Sequence, residues 1–325
     1  MIKKCFVPVL LLLFICCTDN NLKTYELDNN WPGLPNDFIL GNPTGIGVSS
    51  SNDIVLFHRG SRVWKTPMPT EKIKEKTILI LDNITGKIKD AWGSNLFIMP
   101  HGLEVDNEDN IWVTDVALHQ VFKFDYSGKL LMVIGIPNEP GNDSLHFNLP
   151  TDVAVRSDGT FYVSDGYGNS RVIKFSKKGN YLFEWGSFGN EEGTFNIPHG
   201  LDLDKSGNVY VADRENNRIQ KFDSLGKFIN LWQNKSLGQL YSVNIDNNEN
   251  HLFGIDYVID ENFVPLGSDI FCFDLDLNMN TRFGRTGFYE GKIKRYHDIQ
   301  VDEDGNIFAA DILGNSIQKF ILVKK

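Results

Sequence analysis

Short runs of alternating apolar and polar residues, broken by glycine- and aspartate-containing turns, fill most of this chain. Four stretches are near copies of one another: EVDNEDNIWVTDVALHQVFKFD from Glu104, AVRSDGTFYVSDGYGNSRVIKFS from Ala154, DLDKSGNVYVADRENNRIQKFD from Asp202 and QVDEDGNIFAADILGNSIQKF from Gln300. Each reads as an apolar strand, a tight turn, a second strand such as Asn208-Val209-Tyr210-Val211, a polar turn and a third strand ending at Lys-Phe. That order predicts an antiparallel meander repeated along the chain.

The aspartate closing the second strand marks the period. Asp115, Asp165, Asp213 and Asp311 are 50, 48 and 98 residues apart, so a further copy must lie in the last interval. A degenerate one is legible there, from Tyr241-Ser242-Val243 through Leu252–Asp256 to Ile270–Phe273. Upstream, Thr44–Val48, Asp53–Arg59 and Ile78–Asp82 repeat the same order. Six repeats of four short strands predict an all-β, six-bladed β-propeller, an architecture that leaves few exposed sheet edges. The recurring aspartates read as turn formers.

Residues 1–17 have a different pattern. Lys3-Lys4 precede a ten-residue run from Phe6 to Ile15 and then Cys16-Cys17. The run is half the roughly 20 residues that a spanning helix needs, so it reads as an export signal. Cys17 is a candidate for lipidation and a membrane tether, with a plain signal peptide as the alternative. Residues 18–31 are expected to be a tether and 32–325 the propeller. Beyond the leader only Cys272 remains, which excludes an intrachain disulfide in the mature domain. The net charge of −10 and the lack of a Lys/Arg cluster disfavour nucleic-acid binding.

The spacing of the histidines points to chemistry. His101, His199 and His297 are separated by 98 residues and again by 98, each at the entry to an innermost strand, whereas the blades between carry Thr151 and Tyr241 there. Alternate blades of a six-membered ring stand about 120° apart, so three equivalent side chains would meet on the axis. Three imidazoles with a fourth position open is the ligand set of catalytic zinc. His58, His119, His146 and His251 lack this register and are expected to be surface or structural residues.

The runs Phe57-His58-Arg59-Gly60, Leu103–Phe122 with WVTDVALHQVF, Pro150–Val155, VSDGYGNSR from Val163 to Arg171 and VADRENNRIQ from Val211 resemble the peptidyl-α-hydroxyglycine α-amidating lyases, built on NHL-type repeats. With the leader, they suggest an exported, periplasmic or cell-surface bacterial member. The resemblance implies zinc on His101, His199 and His297, Tyr167 as catalytic base and Arg59 beside the reacting hydroxyl. It implies substrate binding by Arg59 and Arg214, although Arg214 could equally pair with Asp213 or Glu215. It also implies a structural calcium held by the carbonyls of Ile46 and Leu103 and by Asp298. The reaction it implies splits a small peptide-like α-hydroxyglycine into a peptide amide and glyoxylate. Two other readings stay open: a lyase for another α-hydroxy amide, such as a ureidoglycolate-like compound, and a non-catalytic propeller that binds a protein or glycan. Arg295-Tyr296-His297 departs from the Met-Pro-His usual in the family.

Overall fold

The computed structural model describes residues 24–323, apart from 36, 237, 247, 249 and 285–291. The leader and Cys17 therefore lie outside the described residues. The first strand, β1 (Thr24–Leu27), is followed by blade 1: β2 (Pro43–Val48), β3 (Ile54–His58), β4 (Ile78–Leu81) and β5 (Ile88–Trp92). Blade 2 is β6 (Pro100–Val105), β7 (Ile111–Asp115), β8 (Gln120–Phe124) and β9 (Leu130–Ile134). Blade 3 is β10 (Asp152–Val155), β11 (Phe161–Asp165), β12 (Arg171–Phe175) and β13 (Tyr181–Trp185). Blade 4 is β14 (Pro198–Leu203), β15 (Val209–Asp213), β16 (Arg218–Phe222) and β17 (Phe228–Gln233). Blade 5 is β18 (Gln239–Ile245), β19 (Leu252–Ile259), the short β20 (Pro265–Gly267), β21 (Asp269–Phe273) and β22 (Met279–Gly284). Blade 6 has β23 (Tyr296–Val301), β24 (Ile307–Asp311) and β25 (Ser316–Val323).

Blade 6 takes its fourth strand from the other end of the chain. β1 pairs antiparallel with β25, Thr24 opposite Val323 and Leu27 opposite Phe320, and so closes the ring. This corrects the expected tether at 18–31: Thr24–Leu27 is part of the fold, and Trp31 is buried against Phe308. The degenerate copy in the fifth interval is a full blade, with β20 as an added strand on β19.

The strand pattern follows from the stacking of twisted sheets around an axis. Every residue of β3, β7, β11, β15 and β24 is buried, because a second strand is covered on both faces by neighbouring blades. The outer strands β9 and β13 are largely exposed. The apolar clusters accordingly bridge blades. Val55, Phe57, Ile78 and Ile80 of blade 1, for example, pack on Leu103, Ile111, Val113 and Phe124 of blade 2.

Complete burial includes the aspartate that ends the second strand of blades 2, 3, 4 and 6. Asp115 accepts the backbone N–H groups of Ile98, Met99, Ala117 and Leu118, tying the blade entry to the following turn. Asp165 and Asp213 accept from Asn148 and Asn196 in the same way and also pair with Arg171 and Arg218. Blade 1 places His58 at this corner, where its Nδ1 accepts the N–H of Gly60. Burial pushes His58 down to about 4.

Two outcomes follow from these corners. Asp115→Ala should lower unfolding stability by about 3 kcal/mol or more, since several buried N–H donors lose their acceptor; chemical denaturation would measure it, and a loss below 1 kcal/mol would refute the tie. His58 is neutral when folded but charges near pH 6.5 when unfolded. Its contribution is therefore complete above pH 6.5 and falls by about 1.4 kcal/mol per pH unit as pH drops toward 4. His58→Asn, which keeps an acceptor at the corner, should flatten the stability–pH slope over that window by one proton.

Candidate metal centre

Each axial histidine is the second residue of its innermost strand, rather than standing before it, and sits where the pairing of that strand with the next shifts register. The shift turns the side chain off the sheet and onto the axis. The neighbouring inner strand approaches so closely that blades 2 and 4 carry glycine next. A Cβ on Gly102 would lie 2.7 Å from the Thr151 carbonyl oxygen, and one on Gly200 would lie 2.8 Å from that of Tyr241.

Those two carbonyls, with that of Thr44, orient the imidazoles. His101 Nδ1 meets the Thr151 carbonyl at 2.6 Å, His199 Nδ1 that of Tyr241 at 2.7 Å and His297 Nδ1 that of Thr44 at 2.9 Å. A carbonyl can only accept, so each Nδ1 carries the proton and each Nε2 presents a lone pair. Burial pushes all three far below the ordinary histidine range, and the nearby arginines add to this, so the rings are neutral. Ring centroids are 4.5 to 4.9 Å apart, and one nitrogen from each ring lies within 4.8 Å of the others.

Tyr167, just past β11, brings its hydroxyl to 3.0 Å from Nε2 of His101 and 3.0 Å from Nε2 of His199. A phenol has one proton, so it can satisfy only one of these two acceptors. The second lone pair is left facing an oxygen in a buried site. A cation among the three nitrogens resolves that conflict, and oriented neutral imidazoles are what a borderline-soft metal such as zinc takes. The donor set fits a single metal ion.

Three arginines border Tyr167 and the histidines. Arg214 Nη1 reaches the Tyr167 hydroxyl at 3.3 Å, and its guanidinium lies 5.2 Å from the Tyr167 ring centre. Its Nε and Nη2 both reach Glu215 Oε1 at 2.9 Å, so Glu215 holds one edge of this guanidinium. Arg59 is buried, with Nε donating to the Pro100 carbonyl at 2.9 Å and its guanidinium 5.3 Å over Trp64. Burial lowers it only to about 10, so it stays charged. Trp64 also packs on Tyr167, 5.1 Å between centroids. Burial pushes the Tyr167 phenol up; Arg214 first and Arg59 after it oppose that shift. Arg214 is the arginine within hydrogen-bonding reach of the phenol, and Arg59 acts on it from farther away.

Deeper on the axis, a cavity of about 10 Å³ joins the histidines to Asp152 and Asp298. Asp298 accepts the Ile46 N–H at 2.7 Å and the Ser242 hydroxyl at 2.7 Å, and burial pushes it up to about 6. Glu104 and Asp152 are raised well above the carboxylate range by burial and by the acids around them. Ile46 donates to Asp298, and a Cβ on the neighbouring Gly45 would meet Leu103 of the adjoining inner strand. Oxygen donors in an under-compensated acidic channel suit a hard cation such as calcium. Away from the axis, His119 Nδ1 accepts from Leu149, His146 meets Asp143 and His251 meets Asp246.

Trp64, Tyr241 and Arg295 went unassigned in the sequence. Trp64 had one available signal, the connection at 59–77, far longer than its counterparts at 116–119, 166–170 and 214–217.

Comparison with known proteins agrees with this architecture. Residues 97–124, 147–175 and 195–222 match the NHL repeat. The chain is 37% identical to the rat peptidylglycine alpha-amidating monooxygenase over 92% of its own length and 32% of that protein's, so it spans about a third of that curated relative. It is 32% identical to a probable peptidyl-alpha-hydroxyglycine alpha-amidating lyase of Caenorhabditis elegans, covering 90% of this chain and 86% of that protein. A streptogramin B lyase structure superposes with a TM-score of 0.58 at 15% identity, over 92% of this chain and 98% of that one, a likeness of fold. With the six-bladed ring and this extent of identity, the chain belongs to the peptidyl-α-hydroxyglycine α-amidating lyase family.

Proposed function

We propose that this chain is a zinc-dependent lyase that cleaves peptidyl-α-hydroxyglycine, peptide-NH-CH(OH)-COO⁻, into a peptide amide and glyoxylate. The observation that carries the reading is the Tyr167 hydroxyl set between two metal-competent imidazole nitrogens with Arg214 against it. His101, His199 and His297 would hold zinc, which supplies Lewis acidity toward the substrate hydroxyl. Tyr167 Oη takes the hydroxyl proton and delivers it to the departing amide nitrogen, so the reaction is neutral in protons. Arg214 orients that oxygen and favours its anionic form, against the rise that burial imposes. Arg59, whose Nη groups make no hydrogen bond among the described residues, takes the glycine carboxylate, where a planar fork binds two oxygens at once. Trp64 covers this pair and limits water. Calcium at Ile46, Leu103 and Asp298 would brace the inner strands from below. The leader in residues 1–17 would place the reaction outside the cytoplasm, with Cys17 as its tether.

Glyoxylate release from a synthetic peptidyl-α-hydroxyglycine tests the reading. The zinc-loaded chain should turn over, the chelated chain should not, and His199→Ala should bind zinc substoichiometrically and be inactive. A folded, zinc-replete protein that releases no glyoxylate would overturn the assignment. Tyr167→Phe should retain stoichiometric zinc and lose about 10²- to 10⁴-fold in kcat, the usual worth of a positioned base; undiminished turnover would remove Tyr167 from that role.

A further inference from the structure

The reaction proposed above needs one guanidinium for one substrate carboxylate, and the site holds more positive charge than that. Arg214 is balanced by Glu215 and Arg59 is reserved for the glycine carboxylate, which leaves Arg295. Its backbone N–H is fixed on the corner carboxylate Asp311, two residues before His297, and that carboxylate is already paired with Lys294 at 3.3 Å. The Arg295 guanidinium carbon is 4.8 Å from the ring centre of Tyr257 and 5.3 Å from that of Tyr241, which it meets at the hydroxyl end. Nε and Nη2 both donate to the Tyr241 hydroxyl, so this guanidinium is held on one edge while Nη1 has no partner among the described residues. Tyr241 in turn packs against the metal ligands, 4.9 Å from His199 and 5.9 Å from His297. Arg295 is therefore a pre-oriented cation one aromatic ring out from the reacting centre. Its charge is felt by both His297 and Arg59.

A rigid guanidinium with a free donor edge selects a planar anion. In a peptidyl-α-hydroxyglycine, the nearest second carboxylate is the side chain of the preceding residue, one Cα step of 3.8 Å away plus the length of that side chain. Resting on the lyase reading, we propose that Arg295, seated on Tyr241 and Tyr257, is a specificity-determining residue that favours substrates whose residue before the hydroxyglycine is glutamate or aspartate.

The test uses three peptidyl-α-hydroxyglycines, identical except for Glu, Gln or Lys before the hydroxyglycine, and reads glyoxylate release by the zinc-loaded chain. Wild type should favour Glu over Gln by about tenfold or more in kcat/KM, chiefly through KM, and should disfavour Lys. Arg295→Met should bring the Glu/Gln ratio close to one, and Arg295→Glu should reverse the order in favour of Lys, with melting temperatures confirming folded variants. A wild-type Glu/Gln ratio within twofold, or a preference that survives in folded Arg295→Met, overturns the inference while the lyase stands. Should neither variant fold, the wild-type ratio and its decline with added salt decide the matter alone. No turnover of any of the three substrates overturns the lyase reading and this inference with it.

Discussion

Each axial imidazole commits its Nδ1–H to a backbone carbonyl on the inner strand of the next blade, and the character of the centre depends on those three bonds. They fix the tautomer, aim three Nε2 lone pairs inward and make the ring orientation a property of the main chain. A backbone carbonyl in a closed sheet ring cannot swing away as a side-chain acceptor can. The bonds also require the inner strands to approach closely, which is why Gly102 and Gly200 follow two of the histidines. Blade packing, glycine placement and ligand geometry are thus a single constraint.

The axis is polarised along its length. Neutral imidazoles, a phenol and three guanidiniums gather at one level, while Asp152, Asp298 and Glu104 line the channel below. The first set suits a borderline-soft ion and an anionic reactant, the second a hard ion held by oxygen. The pseudo-threefold arrangement of ligands is broken by what surrounds it. Tyr167 comes from blade 3, Arg59 from blade 1, Arg214 from blade 4 and Arg295 from the entry to blade 6, so a substrate meets one orientation rather than three equivalent ones.

Much of this was readable before any coordinates. The repeat spacing gave six blades, and the 98-residue intervals gave His101, His199 and His297, because a repeat protein converts sequence register directly into angular position. The corner aspartates were legible as turn formers and behave so. Other features were hidden for definite physical reasons. Thr24–Leu27 is four residues long with its partner some 300 positions away, so no local alternation marks it as the ring-closing strand. The contact of Arg214 with Glu215 depends on a side-chain rotamer that no repeat spacing encodes. Arg295 stood out only as an oddity beside a histidine, since its contacts with Tyr241 and Tyr257 bring together residues 54 and 38 positions apart. Side-chain partnerships across blades lie beyond what a period can encode.

The alternate-blade placement of the histidines also bears on how such a chain can change over evolutionary time. Propellers gain and lose blades by duplication and deletion of a repeat, and a scaffold tolerates this because neighbouring blades meet through similar faces. Here an added or deleted single blade would leave an odd ring with no alternate-blade register, and the three imidazoles would no longer share a centre. The heritable unit is the blade pair, and the chemistry on the axis holds the blade number at six.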